Sequence, residues 1–410
     1  MPDSWLALHC SFARRTSTKP PTKDDYLHLS LKLGDLYAEG SPTNRVEKVA
    51  GMTDTVTGPR AESASSKTYL ITGGAGFIGS HLTDRLVANG DRVIVLDDLS
   101  GGSRRNLNRA AIERDMVRFV EGSVLDAELV DRCTAEADVC VHMAAALGVK
   151  RIVDRPLETL LANVRGTDIV MEAAHRRRRP LLFASSSEVY GKRAAAGLTE
   201  DADCTIGAPD RSRWSYAIAK QFGESLANAY KQDAGADIIT VRFFNVVGPR
   251  QSAAYGMVLP RFVAQALAGE DLTIYGDGSQ SRCFTSVHDA VGAVAGLLRA
   301  EGAGGATYNV GVSDPIRVDE LARVVIERVG SRSSIVYIPY AEAYGSGYEE
   351  LGRRVPDTSA LRARTGWKPV RTVDQTIDEV IACQTQADSQ GARRVRAPRR
   401  QRLRSIAVAA

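Results

Sequence analysis

The chain predicts an α/β fold, a doubly wound parallel sheet with a smaller C-terminal α/β unit, on three observations. Short apolar, strand-like runs at 68–72, 92–97, 117–121, 138–142 and 180–185 alternate with helical or loop segments, which implies parallel strands joined by crossover connections. Gly73, Gly76 and Gly79 follow the first run at G-x-x-G-x-x-G spacing and open a helical stretch reaching Asn89. Beyond residue 250 the elements are shorter and mixed, with a helix expected over 258–268, a strand over 271–275 and a further helix from Val318.

The glycine run has a definite use in such a sheet. Gly73 and Gly76 permit a tight turn and close backbone approach to a pyrophosphate, and Gly79 lets helix and strand pack closely. The second run ends in Asp97, about twenty residues on, where an acid accepts hydrogen bonds from a ribose diol and repels a 2′-phosphate. NAD is therefore favoured over NADP. The alternative is a glycine loop closing a nonbinding turn beside an exposed aspartate.

The run over 180–185 delivers Ser185, Ser186 and Ser187 to the carboxyl edge of the sheet, where ligands bind in open sheets of this kind. Downstream, Trp214, Ile218, Phe222 and Leu226 recur at spacing four and predict a helix over 213–231, on which Tyr216 and Lys220 share one face. A phenol titrates near pH 10, so it acts as a base near neutrality only where a cation stabilises its phenolate. Lys220 is placed to supply that charge. Without the upstream motifs the same pair reads as an exposed tyrosine with a solvated lysine.

Composition narrows the class. The 410 residues are 44% apolar with a formal net charge of +4, enough to bury a large core. No apolar run approaches the roughly 18–20 residues that span a bilayer. The N-terminus lacks the pattern of a secretory signal, so a cytoplasmic location is expected. Cys10, Cys133, Cys140, Cys204, Cys283 and Cys383 are scattered and the six histidines show no ligand spacing, so neither a disulfide framework nor a metal is expected. Residues 1–66 read as a disordered extension, with one short helix between Tyr26 and Tyr37, or as the product of a start placed too far upstream. Seven arginines fall between Arg393 and Arg404, and without them the net charge is −3. The basic balance thus belongs to a flexible tail over 385–410; with no aromatics to stack on bases, it is read as solvated rather than as a nucleic-acid contact.

Taken in order, the motifs Thr72–Gly79, His142-Met-Ala-Ala145, Asn163-Val-Arg-Gly-Thr167, Ser186-Ser-Glu-Val-Tyr-Gly191, Tyr216-x-x-x-Lys220, Arg242–Arg250, Tyr275-Gly-Asp-Gly278 and Arg354-Val-Pro-Asp357 resemble those of the extended short-chain dehydrogenase/reductases of the nucleotide-sugar epimerase, dehydratase and decarboxylase group. The resemblance covers about residues 67–384. It implies a mainly NAD-binding Rossmann domain over 67–250, a mainly nucleotide-sugar-binding domain over 251–384, and a homodimer formed through helices that include the one bearing Tyr216. Ser186, Tyr216 and Lys220 become the catalytic triad, Tyr216 taking the 4-hydroxyl proton as hydride leaves C4 for NAD. Gly73, Gly76, Phe77, Ile78, Gly79, Asp97, Ser123, Val124, Tyr216 and Lys220 line the cofactor site. Many relatives carry an acid where Ser123 stands. Ser187, Asn245, Arg250, Tyr275, Arg282 and Arg354 face the nucleotide diphosphate and sugar.

The residues beside the triad bear on the product. A 4,6-dehydratase usually has an Asp-Glu pair where this chain has Ser187-Glu188, and a plain 4-epimerase has small or neutral residues at both positions. Ser187-Glu188, with Arg282-Cys-Phe-Thr285, Arg213-Trp-Ser-Tyr216 and the segment 344–357, most resembles UDP-glucuronate decarboxylases. Glu188 and Arg282 then join the catalytic set, and the product is a UDP-pentose or UDP-4-keto-pentose. A UDP-sugar 4-epimerase, of the glucose/galactose or the glucuronate type, is the alternative. A noncatalytic dinucleotide sensor would be expected to lack Tyr216 or Lys220, and both are present.

Overall fold

The computed structural model describes residues 66–148, 155–193, 195–253, 257–344 and 353–396. The expected extension with its helix between Tyr26 and Tyr37 lies outside them.

Seven strands, β1 (Thr68–Thr72), β2 (Arg92–Asp97), β3 (Val117–Glu121), β4 (Val139–His142), β5 (Leu181–Ser186), β6 (Ile238–Phe243) and β7 (Thr307–Val310), form one parallel sheet in the order β7-β6-β5-β4-β1-β2-β3. The chain runs outward from β1 to β3, returns to β4 on the other side of β1, and runs outward again. That reversal opens a crevice at the carboxyl ends of β1 and β4. The five strands expected from sequence are observed, β4 and β5 each beginning one residue later than expected.

The principal helices are α1 (Phe77–Ala88), α2 (Ala127–Ala135), α3 (Pro156–Arg176), α4 (Ser215–Ala234), α5 (Val258–Ala268), α6 (Val287–Leu297), α7 (Val318–Val329) and α8 (Val373–Arg396). Both faces of the sheet are covered, because successive strand residues point to opposite sides. Ile71, Val95, Val141 and Val241 pack with Leu82 and Leu86 of α1 and Val291 and Val294 of α6. Leu70, Leu96, Cys140 and Phe183 pack on the other side with Val130 of α2, Met171 of α3 and Ala227 of α4. Truncating a fully buried leucine here costs about 2–5 kcal/mol. The C-terminal elements gather a separate cluster, with Leu259, Phe262 and Val263 of α5, Leu321 and Val325 of α7, and Ile377 and Val380 of α8. The sequence places the start of a flexible tail at 385, whereas α8 continues to Arg396. No helix among the described residues is long and apolar enough to cross a membrane, and no three His, Cys, Asp or Glu side chains among them gather where a metal could be held.

One polar device ties the layers together. His142, fully buried on β4, meets Thr72 Oγ1 of β1 through Nδ1 at 2.8 Å and Thr167 Oγ1 of α3 through Nε2 at 3.2 Å. Thr167 donates its own proton to the Asn163 carbonyl and Thr72 accepts from Ala144 N, so a neutral ring with its proton on Nε2 satisfies every group. Burial and, secondarily, the charge on Lys220 push the imidazole down to about 3. The unfolded chain, with an ordinary histidine near 6.5, therefore takes up the proton first as pH falls. The stabilisation by neutral His142 is complete above about pH 6.5 and is lost as pH falls toward 3. Melting temperature is expected to fall between pH 6.5 and 4 more steeply in the wild type than in His142→Gln. Equal slopes would remove His142 from the account.

Candidate active site

The carboxyl end of β5 carries the centre of the site. Ser186 ends the strand, and its hydroxyl accepts from Glu188 N at 3.2 Å, capping a single 3-10 turn over Ser187–Tyr190. Helix α4 packs against this turn at short range because Gly223 leaves no room for more: a Cβ there would lie 2.4 Å from the Phe183 ring. Tyr216 and Lys220 are both buried on this inner face. Ile218 and Phe222, whose spacing signals the helix, are instead 37% and 39% exposed. The apolar stripe thus marks the helix but not its core face, which holds the chemistry. The helix begins at Ser215, after one 3-10 turn over Ser212–Trp214, and continues to Ala234, three residues past the expected end.

Lys220 Nζ donates to the Ala184 carbonyl at 2.7 Å and stands 4.9 Å from the centre of the Phe183 ring and 5.8 Å from that of Tyr216. Burial pushes the ammonium down to about 8, opposed by Glu224. Burial also holds the Tyr216 phenol well above the usual value; Glu188 adds to that, and the hydrogen bond with Ser186 opposes it. The sequence expectation was a phenol depressed by Lys220. In this structure the lysine is engaged with a backbone carbonyl and desolvation dominates, so Tyr216 is held as a phenol with Ser186 as its partner.

Sequence reasoning missed the support beneath the triad. Glu224 lies one turn beyond Lys220 on the same face; it accepts from Ser185 Oγ at 2.5 Å and from Arg242 through Nε at 3.0 Å and Nη2 at 2.7 Å. The 216, 220, 224 spacing is the signal that would have found it. Also missed was Arg213, whose Nη2 stands 3.5 Å from Glu188 Oε2. Arg354 donates from Nη1 to the Ser187 carbonyl at 2.8 Å and from Nη2 to Glu188 Oε1 at 2.6 Å. Burial pushes the Glu188 carboxyl up, but Arg354, Arg213 and Arg282 together outweigh it, and the net direction is down.

The remaining expected residues fall in two groups. Arg282 borders the triad through its effect on Glu188 and donates to the Ser281 carbonyl. Asn245, at φ 36°, donates to the Cys283 carbonyl at 3.3 Å. Tyr275 lies under the Arg261 guanidinium, 4.3 Å from its ring centre. Arg250, at φ 67°, binds Ser80 at 3.2 Å and Asp84 at 2.7 Å on α1, so its guanidinium is engaged at the helix behind the glycine loop.

At the other end of the crevice the glycine loop crowds α1. A Cβ on Gly79 would sit 2.2 Å from the Gly73 carbonyl oxygen, and one on Gly73, at φ 70°, would sit 2.8 Å from Ala144. No side chain caps α1, so its first N–H groups remain available to an anion. Phe77 and Ile78 open the helix and pack on the core beneath. Asp97 braces the loop, its Oδ2 accepting from Ala75 N at 3.0 Å and its Oδ1 from Leu99 N at 2.8 Å. The neighbouring Asp98 adds negative charge. Ser123 Oγ accepts from Leu125 N at 3.2 Å, and Val124 packs against α3 so closely that a Cβ at Gly166 would lie 2.7 Å from its Cγ2.

This arrangement has relatives. The family model "NAD dependent epimerase/dehydratase family" matches residues 69–311. The chain belongs to that family. It is 37% identical over 316 residues to a UDP-N-acetyl-alpha-D-glucosaminuronate decarboxylase of Bacillus cytotoxicus, covering 77% of this chain and 97% of the relative. It is 32% identical to UDP-glucuronic acid decarboxylase 1 of Danio rerio, covering 77% and 72%. Among solved structures, an epimerase of Methanothermobacter thermautotrophicus superposes with a TM-score of 0.73 at 28% identity, covering 80% of this chain and 95% of that one.

As a member of the epimerase/dehydratase family the protein is an NAD-dependent enzyme, and the residues present fit the dinucleotide. The crowded glycine loop and uncapped α1 suit its pyrophosphate, and two acids at the end of β2 suit an unphosphorylated ribose. Bound NAD would supply a hydride acceptor, and in its oxidised form a positive charge. The chain's own contribution is a phenol aligned by Ser186, positioned to move a proton at one hydroxyl.

Tyr216→Phe is expected to lower oxidation of the sugar by about 10²–10⁴-fold, read from NADH absorbance in a single turnover. Because Lys220 is charged only below about pH 8, kcat/KM should fall as pH rises through that value, and Lys220→Arg should move this limb to higher pH. An unmoved limb would assign it to another group.

Proposed function

We propose that this enzyme decarboxylates a UDP-linked hexuronate, UDP-glucuronate or its 2-acetamido counterpart, through a 4-keto intermediate. The observation that carries the proposal is the cluster beside Tyr216: one carboxylate, Glu188, faces Arg213, Arg282 and Arg354. The surplus of positive charge suits a sugar that is itself an anion at C6. As the phenolate, Tyr216 would take the 4-hydroxyl proton while hydride passes from C4 to oxidised NAD, and Ser186 would hold the oxygen. The C6 carboxylate then belongs to a β-keto acid. The C5–C6 bond breaks, carbon dioxide leaves, and the electron pair passes into a C4 enolate that is reprotonated at C5. Return of hydride gives a UDP-pentose; release before that step gives the 4-keto-pentose.

In this reading Ser186, Glu188, Tyr216, Lys220 and Arg282 carry the reaction. Ser187, Asn245 and Tyr275 serve the substrate, and Ser123 and Val124 the adenine end of NAD. Residues 67–250 serve mainly the dinucleotide and 251–384 mainly the nucleotide sugar. The other family reaction, 4-epimerisation, shares the first step; a neutral hexose has no use for the surplus charge, whereas a uronate epimerase would use it as well, so the product mass separates the two. Incubation with UDP-glucuronate or UDP-N-acetylglucosaminuronate and NAD is expected to yield products lighter by carbon dioxide in mass spectrometry. A new isomer of unchanged mass would transfer the chain to the epimerases.

The same reading includes a homodimer. Ile218 and Phe222 on α4, and Leu157 and Leu161 on the adjoining α3, are large apolar side chains left exposed at i, i+4 spacing, as an apolar face covered by a second copy would be. Light scattering is expected to give a dimer for the wild type and a monomer for the double variant Ile218→Glu, Phe222→Glu. A wild-type monomer would reject the assembly.

A further inference from the structure

We infer that Glu224 is a positioning residue for the first chemical step: held from the sheet by Ser185 and Arg242, it keeps the Lys220 ammonium charged beside Tyr216 and so sets the upper pH limit of oxidation. The inference rests on reading Tyr216 and Lys220 as the oxidising pair, a step that decarboxylation and 4-epimerisation share.

The placement follows from the register of the sheet. Strands β5 and β6 run parallel with Ser185 opposite Arg242, which sets one hydroxyl and one guanidinium side by side. Both reach Glu224: Ser185 Oγ donates to Oε1 at 2.5 Å, and Arg242 donates through Nε to Oε1 at 3.0 Å and through Nη2 to Oε2 at 2.7 Å. The Arg242 and Glu224 side chains are 8% and 11% exposed, so the grip fixes the carboxylate on the sheet side of α4. Lys220 lies one turn back on the same buried face, and side chains at i, i+4 on a helix are neighbours. Its ammonium has its own anchor, the Ala184 carbonyl at 2.7 Å. Glu224 therefore acts on Lys220 through its charge.

The surroundings of the ammonium leave that task to Glu224. Burial pushes Lys220 down to about 8, and Glu224 opposes it even while paired with Arg242. On the same helix Tyr216, its ring centre 5.8 Å from Nζ, is held as a phenol. On β4, His142 is held neutral by burial and by the charge on Lys220. Glu188, in the turn, acts on Tyr216. An amide of the same shape at 224 leaves burial unopposed. Lys220 then gives up its proton at lower pH, and with it goes the cation that stabilises the Tyr216 phenolate.

The experiment follows Lys220 directly, by isotope-edited NMR of the lysine side chains, the Lys220 resonance being assigned by its absence in K220R. In parallel, kcat/KM is measured against pH with NAD saturating and UDP-glucuronate or UDP-N-acetylglucosaminuronate as substrate. The wild-type midpoint is expected at about pH 8. A close opposite charge is worth about 1–3 units, so E224Q should lower the midpoint and the alkaline limb together by about one unit or more. At pH values above both limbs, one unit is a rate about tenfold below wild type. The double variant E224Q/R242Q removes the pair together and so leaves no unpaired guanidinium; it should move the midpoint in the same direction, and it decides the question if E224Q does not fold. A midpoint unmoved, whatever happens to the rate, would make Glu224 purely structural and overturn the inference. A midpoint that moves while the limb stays would remove Lys220 from the oxidation step and overturn the reading beneath it. Product mass, which bears on decarboxylation alone, enters neither comparison.

Discussion

The short hydrogen bond from the Lys220 ammonium to the Ala184 carbonyl is the contact on which the site's geometry depends. It joins helix α4 to the last turn of strand β5, and so sets Tyr216 against Ser186. Two features allow so close an approach. Gly223 gives its space to the Phe183 ring, and Glu224, bound to Arg242 and Ser185, stands beneath the ammonium as its buried counter-charge. Breaking a buried ion pair of this kind by removing one partner costs about 3–5 kcal/mol. The pair beneath the triad therefore couples the stability of the fold to the alignment of the chemistry.

Above this base, the site balances charge by number and distance. Burial pushes the Glu188 carboxyl up, but the surrounding guanidiniums reverse the direction. Burial, reinforced by Glu188, outweighs the Ser186 hydrogen bond at Tyr216 and keeps its proton in place. Two ionisable groups one short turn apart in space are thus driven opposite ways by their partners, which is how one pocket holds a proton donor and a fixed anion together. A bound oxidised dinucleotide would add positive charge, which would favour the phenolate.

Much of the fold was legible, because strand alternation, helical spacing and a glycine turn depend on near neighbours in the chain. The strands came within a residue of their expected starts and α5 matched its expected span. The glycine loop was legible for the same reason, since Gly73 at positive φ and the crowding at Gly79 are demands of the turn itself. The role of α4's apolar stripe was not. Spacing four says that Ile218 and Phe222 share a face, but which face meets the sheet depends on Gly223 fitting over Phe183. The start of the tail was placed at 385 because the basic end of α8 reads as a tail by composition alone.

By itself the sequence determined the doubly wound sheet and singled out the glycine loop and Ser186, Tyr216 and Lys220 as candidates, since each is written in residues close together or in a fixed order of motifs. Only the tertiary structure decided what each arginine does. Arg213, Arg250 and Arg354 are alike as letters, yet one faces Glu188, one is engaged by Asp84 behind the glycine loop, and one holds a turn 166 residues away. The physical reason is that a charge is defined by its partners, and partners distant in sequence are chosen by packing.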